Sequence, residues 1–221
     1  MQNSNKLNRQ QKAAELHKQV PPNHYARSIK ESFLHRFWHT TRFKEIGEMI
    51  EPAGGKILDI GSADGTFTKV IIEKSKATKV VGIDVLAASI SYAKRRFARS
   101  KIVSFRVADA HALPFPTRTF DAVFCLETLE HVEDPTQVAS EIHRVLKDDG
   151  YAVILVPNEN ILFRIGWFFW LMGPGKIWKN THIQDLSAEA IMTTLGKANF
   201  RTKETRRFLL GMLQAVKVVK K

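Results

Sequence analysis

Between positions 56 and 156, short apolar runs alternate with segments whose apolar residues recur at helical spacing. The runs 56–60, 80–84, 102–107, 120–126 and 151–156 predict strands. The segments 66–75, 87–98 and 135–146 predict helices, the last with Asp134 as N-cap and Pro135 at the first helical position. Lys147-Asp148-Asp149-Gly150 predicts a turn. Strands alternating with helices of about ten residues imply βαβ units and a parallel sheet covered on both faces. Right-handed crossovers make such a sheet doubly wound, with ligands just beyond the carboxyl ends of its strands.

The flanks read differently. Residues 1–24 are set apart as a polar N-terminal segment, in which 1 to about 20 read as frayed or loosely helical and Pro21-Pro22 ends that stretch. From 25 to 50, Phe33, Phe37, Ile46, Met49 and Ile50 recur at helical spacing and predict one or two helices ahead of the main domain. Beyond Pro157, residues 160–178 are an aromatic-rich insertion. A helix is expected at 187–198, with Ser187 as N-cap, then two strands at 200–208 and 213–219 paired as a hairpin. The expected fold class is α/β: a doubly wound, mostly parallel seven-stranded sheet in one domain spanning 25–221, with an apolar lid insertion at about 158–186.

Composition adds bounds. Hydrophobic residues make up 44% and charged residues 25%, enough for a substantial core. The one cysteine, Cys125, cannot form an internal disulfide, which fits a reducing, cytoplasmic setting. It stands mid-strand between Phe124 and Leu126 and is expected in the core. Residues 1–19 lack the apolar stretch of a signal peptide. The apolar run 161–172 is interrupted by Arg164 and Gly166 and falls short of the roughly 20 residues of a membrane span. A net charge of +12 favours anionic partners without choosing among nucleic acid, acidic lipid and small anions.

Candidate chemistry lies at the strand ends. After the first strand comes Asp59-Ile60-Gly61-Ser62-Ala63-Asp64-Gly65. Gly61 lets the backbone turn closely around a ligand, Ala63 keeps the approach open and Gly65 opens the helix. A dinucleotide loop requires glycine or alanine one residue further on, and Thr66 stands there, so the pyrophosphate pattern fails. Asp84 ends the second strand, placed to accept hydrogen bonds from ribose hydroxyls or to cap the following helix. Val107-Ala108-Asp109-Ala110 follows the third strand, then Leu113-Pro114-Phe115. The fourth strand runs into Leu126-Glu127-Thr128-Leu129-Glu130-His131-Val132-Glu133-Asp134-Pro135.

In order and spacing, these residues resemble the class I S-adenosylmethionine (SAM)-dependent methyltransferases, in the small-molecule branch that includes the ubiquinone/menaquinone enzymes. The resemblance covers about 56–158; Ala63 replaces the middle glycine of its loop, and Asp148-Asp149 replaces the usual Pro-Gly of its Leu-Lys-Pro-Gly-Gly turn. It implies a Rossmann-like methyltransferase fold with SAM as cofactor and no metal. Asp59 would face the methionine amino group, Asp84 the ribose, and Asp109 and Ala110 the adenine. Gly61, Ser62, Ala63, Gly65, Val85 and Leu126 would complete the pocket.

The sulfonium of SAM carries an already activated methyl, so such an enzyme chiefly aligns the nucleophile and excludes water. A general base is needed only where the nucleophile holds its proton. Candidates are His131, whose unperturbed pKa is roughly 6.5, and Glu127, with His182 approaching from the insertion. His131 reads equally as structural, and Glu127 as a wall of the pocket. Glu130 and Glu133 are expected in solvent. Neither an (Asn/Asp/Ser)-Pro-Pro-(Tyr/Phe) motif nor a Pro-Cys pair is present, against base-amino and C5-pyrimidine methylation. Residues 161–172 are apolar almost all round, and Trp167, Trp170 and Trp178 stand near Lys176 and Lys179. Such a stretch suits a lid or a peripheral membrane contact through 161–178, and a small-molecule or lipid-like acceptor. A noncatalytic SAM-fold module binding membrane or protein, and an RNA methyltransferase supported by charge alone, are the alternatives.

Overall fold

In the computed structural model, the described residues are Lys12, Glu15, 20–31, 33–158, Phe163, Arg164, Met172 and 187–221. In chain order they form α1 (His24–Glu31), α2 (Phe33–Met49), β1 (Lys56–Ile60), α3 (Thr66–Ser75), β2 (Lys79–Asp84), α4 (Ala87–Arg96) and β3 (Val103–Val107). There follow β4 (Phe120–Leu126), a 3-10 turn (Leu129–His131), α5 (Pro135–Val145), β5 (Leu146–Pro157), α6 (Ala188–Lys197), β6 (Phe200–Phe208) and β7 (Leu213–Lys220). Most of the apolar stretch 161–178, together with His182, lies outside the described residues.

The strands build one sheet in the order β3-β2-β1-β4-β5-β7-β6. β1 to β5 run parallel, and β7 enters antiparallel between β5 and β6. β4 and β5 bury nearly every residue, as strands covered on both faces must. Leu58, Ile60, Val123 and Cys125 join Val138 and Ile142 of α5 on one face. Ile57, Ala122, Phe124 and Val153 join Ile46 and Met49 of α2 on the other. The strand order turns back between β1 and β4, which places the ligand crevice beyond their carboxyl ends.

Local signals set the helix starts. Asp134 accepts from Gln137 N–H and Pro135 occupies the first turn of α5; Ser187 accepts from Ala190 N–H at α6. Two expectations change. Phe33 and Phe37 are 82% and 53% exposed, whereas Ile46, Met49 and Ile50 are buried. Only the C-terminal part of α2 lies over the sheet, so the helical spacing joining these residues does not describe one buried face. Lys147 to Gly150 is not a free turn but a bulge within β5: the pairing passes from Phe120↔Leu146 to Ala122↔Tyr151. A Cβ on Gly150 would meet Asp121 O at 2.8 Å, so the bulge requires glycine.

Candidate functional site

A cleft opens at the carboxyl ends of β1 to β4. Its walls include Ile60, Gly61 and Ala63 from β1 and its loop, Ile83, Asp84 and Val85 from β2, and Ala108, Asp109, Ala110 and His111 beyond β3. Glu127, Thr128, His131 and Val132 close it beyond β4. Lys12, Val20, Pro21, Pro22, His24 and Tyr25 cover it from the N-terminal side. Of the residues singled out from sequence, Gly61, Ala63, Asp84, Val85, Asp109, Ala110, Glu127 and His131 therefore share one cavity. Asp59, Ser62 and Leu126 sit behind its wall, 1%, 4% and 5% exposed, and Gly65 is buried beside them.

The loop after β1 is held by its own hydrogen bonds. Gly61 N–H and Ser62 N–H donate to Ile83 O at 2.8 and 2.9 Å, and Gly65 N–H donates to Ser62 O at 2.8 Å. Ala63 N–H donates to Asp84 Oδ2 at 3.0 Å and Thr66 N–H to Asp64 Oδ1 at 3.0 Å. Gly61, Ala63 and Gly65 all take positive φ. The N–H groups at these five positions are spent inside the fold. A phosphate cradle at a helix N-terminus needs such groups pointing at the ligand. The loop therefore bends close to the cavity without offering them to an anion.

Carboxylates do the polar work instead. Asp84 bridges two turns, accepting from Ala63 N–H with Oδ2 and from Leu86 N–H with Oδ1 at 2.8 Å. Asp84 thus holds the turn before α4 and lines the cavity, but it does not cap that helix: Leu86 stands at the N-cap, with no side-chain cap hydrogen bond. Asp59 accepts from Thr68 Oγ1–H at 2.6 Å beneath the loop. Burial raises its carboxyl to about 7, against the Thr68 bond and with a further push from Asp84. Ser62 Oγ, also buried, has no hydrogen-bond partner among the described residues.

His111 is a pocket residue that sequence reasoning missed. Asp109 Oδ1 accepts from His111 N–H at 2.9 Å and from its Nδ1 at 2.7 Å. The ring's Nε2 takes the N–H of Asp134 at 3.2 Å, and its carbonyl takes Gln137 Nε2–H at 2.9 Å. A second missed group lies under Glu127. Arg42, from α2, forms an ion pair with Glu127 and is 3% exposed. Burial holds the Arg42 guanidinium down at about 10. Arg42 can only donate, so His39 accepts from it through Nδ1 at 3.2 Å. His39 Nε2–H then donates to Ser28 Oγ at 3.1 Å, and Ser28 donates to Tyr25 O at 3.1 Å. Burial, then the Arg42 charge, depress His39 to about 3, so it stays neutral. This chain fixes the cleft wall of α1 to the end of β4. Ala26 N–H adds a bond to Asp64 Oδ2 at 2.8 Å.

Glu127 itself holds φ +52, a left-handed conformation uncommon for a side chain of its size, on the cavity wall. Glu130, expected in solvent, is 2% exposed: the 3-10 turn rotates it inward, near enough to the buried Arg42 guanidinium for its charge to favour the cation. Glu133 stays at the rim and pairs with Lys12 at 2.7 Å. Cys125 is fully buried, as expected, and burial pushes its thiol up. Among the described residues no helix is long and apolar enough to cross a membrane.

Comparison with known proteins finds relatives of the chain and of its fold. Residues 58–154 match a family described as a methyltransferase domain. The chain resembles a ubiquinone/menaquinone biosynthesis C-methyltransferase of Desulfotalea psychrophila, 32% identical over 126 residues, covering 56% of this chain and 51% of that one. It also resembles a ubiquinone biosynthesis O-methyltransferase of Pseudomonas aeruginosa, 32% identical over 145 residues, covering 59% of this chain and 61% of that one. It thus spans between about half and three-fifths of the length of these relatives. A crystallised [4+2]-cyclase shares the fold with a TM-score of 0.67 and 18% identity, over 81% of this chain and 80% of its own. The fold by itself therefore does not set the reaction.

Proposed function

Since residues 58–154 match a family described as a methyltransferase domain, we propose that the chain is a SAM-dependent methyltransferase acting on a small-molecule or lipid-like acceptor. The observation that carries this reading is a loop whose N–H groups at 61, 62, 63, 65 and 66 bond within the fold, beside two carboxylates, Asp84 and Asp109, on one cavity. Two acceptors without such donors suit a nucleoside bearing no phosphate. Ile83, Val85, Leu86 and Ala108 give the cavity apolar walls for a base.

In this reading Asp84 accepts the ribose hydroxyls, and Asp109 with the Ala110 N–H takes the adenine edge. Gly61 and Ala63 bring the backbone close to the methionine portion, with Ser62, Gly65 and Leu126 backing them. Asp59 supports the loop from beneath, where an ammonium close by would favour its ionised form. The cofactor supplies a methyl already activated on sulfur. The chain's own part is to align the acceptor with that methyl and exclude water. Lys12, Val20, Pro21, Pro22, His24 and Tyr25 contribute to exclusion and belong to the working unit. The ion pair to Arg42 supports a wall role for Glu127, which leaves His131, on the same cavity, as the candidate proton acceptor. The names of the relatives support a quinone-like acceptor, and the apolar sequence 161–178 supports a greasy one.

Calorimetry with S-adenosylhomocysteine tests the cofactor: saturable binding of one ligand per chain is expected, and no binding sinks the enzyme reading. Labelled SAM added to cell-extract fractions tests the acceptor. Label entering the organic phase is expected, and label confined to RNA would replace the small-molecule acceptor with a nucleic acid.

A further inference from the structure

The segment 109–115 is bound along its length to α5. Gln137 reaches His111 O at 2.9 Å, Glu141 takes Leu113 N–H at 2.7 Å, and Arg144 donates to Leu113 O and Phe115 O at 2.9 and 2.8 Å. The Arg144 guanidinium is itself held by Glu141 at 2.7 Å. His111 is the member of this set that touches the cavity. It is 6% exposed and both ring nitrogens are engaged.

Those two contacts define its proton. The N–H of Asp134 can only donate, so Nε2 accepts and Nδ1 carries the hydrogen. Nδ1–H then donates to Asp109 Oδ1, which also takes the His111 backbone N–H. Two donors on one oxygen fix the plane of the Asp109 carboxylate and keep it an acceptor. The fixing force comes from α5 through Asp134, 23 residues further along.

We propose that His111 is the positioning residue that makes the cavity selective for an amino-bearing purine. Its imidazole links the start of α5 to the Asp109 carboxylate and holds that carboxylate as an acceptor toward an exocyclic amine. The proposal rests on the cofactor reading above and adds the element that enforces base choice. A purine with an oxygen in place of that amine would present an acceptor to the carboxylate and be refused.

The test compares two probes, S-adenosylhomocysteine and its hypoxanthine counterpart S-inosylhomocysteine, by calorimetry on the full chain. Hydrogen bonds to a charged group support a preference of roughly 10- to 100-fold for the adenine ligand in the unmodified protein. His111→Ala should reduce that ratio to below about 3-fold, largely through weaker binding of the adenine ligand. His111→Asn, whose amide offers both a donor and an acceptor, should recover part of the ratio. If His111→Ala weakens both ligands equally, His111 is merely structural and the proposal fails. If His111→Ala does not fold, a folded His111→Leu protein, which keeps the volume and lacks the donor, with an unchanged ratio overturns it. Absence of adenine-ligand binding in the unmodified protein overturns the cofactor reading and this proposal together. A wild-type chain that binds both ligands equally overturns this proposal alone.

Discussion

Asp59 is a carboxyl that the folded chain keeps protonated more readily than the unfolded chain does. Burial raises it from 3.8 to about 7. A raised native value means that folding binds the proton more tightly. Its contribution to stability is complete below the unfolded value and is lost as pH rises through about 7. The urea midpoint of the ligand-free protein should therefore fall from about pH 4 to about pH 7 and level off above, and Asp59→Asn should flatten that slope. Arg42 is the opposite case, a charge that needs its partner. Arg42→Met leaves Glu127 facing a low-dielectric wall and should cost about 3–5 kcal/mol in urea unfolding. The double variant Arg42→Met with Glu127→Gln should recover much of that loss; if it does not, packing and not charge explains the cost. Asp84 and Asp109 were legible because each follows a recognisable strand end. Arg42, His111 and the burial of Glu130 were not, because each depends on a partner brought near only by the fold, such as Arg42 and Glu127.

Among elements, the strands and the helices between them follow from periodicity and capping, because both are local. The bulge in β5 does not, since it exists only to match β4. The seat of α2 is likewise a tertiary matter. Its C-terminal end carries Glu45 and Glu48, followed by Glu51, and the final hairpin answers with Lys203, Arg206 and Lys217. Arg206 binds Glu48 and Glu204 at 2.6 Å each. Lys217 is nearly buried and pairs with Glu51 at 2.9 Å. Hydrogen bonds from Lys203 and Lys217 hold the Glu51 carboxyl below its usual range, so this anchor weakens as pH falls toward and below 4.5. Glu51→Gln should lower stability by roughly 0.5–1.5 kcal/mol, because the Glu51 side chain is itself half exposed and only its Lys217 partner is buried. Hydrogen exchange should show the loss in β6 and β7 first; unchanged protection there would remove the hairpin anchor from the account.

Across the whole molecule, charge and topology are both uneven. From 74 to 106 the chain carries Lys74, Lys76, Lys79, Lys94, Arg95, Arg96, Arg99, Lys101 and Arg106 against the single acid Asp84. The β2–α4–β3 edge thus holds a large part of the +12. A sequence count gave the total, but only the sheet order gathers it on one side. The same order has a temporal side. β7, last of the seven strands in the chain, lies between β5 and β6. As a ribosome delivers the polypeptide, β5 keeps an apolar edge unpaired until residues 213–220 emerge. During that interval the nascent chain presents a pairing template to its neighbours on the polysome, and it depends on chaperones or on the speed of elongation to escape them.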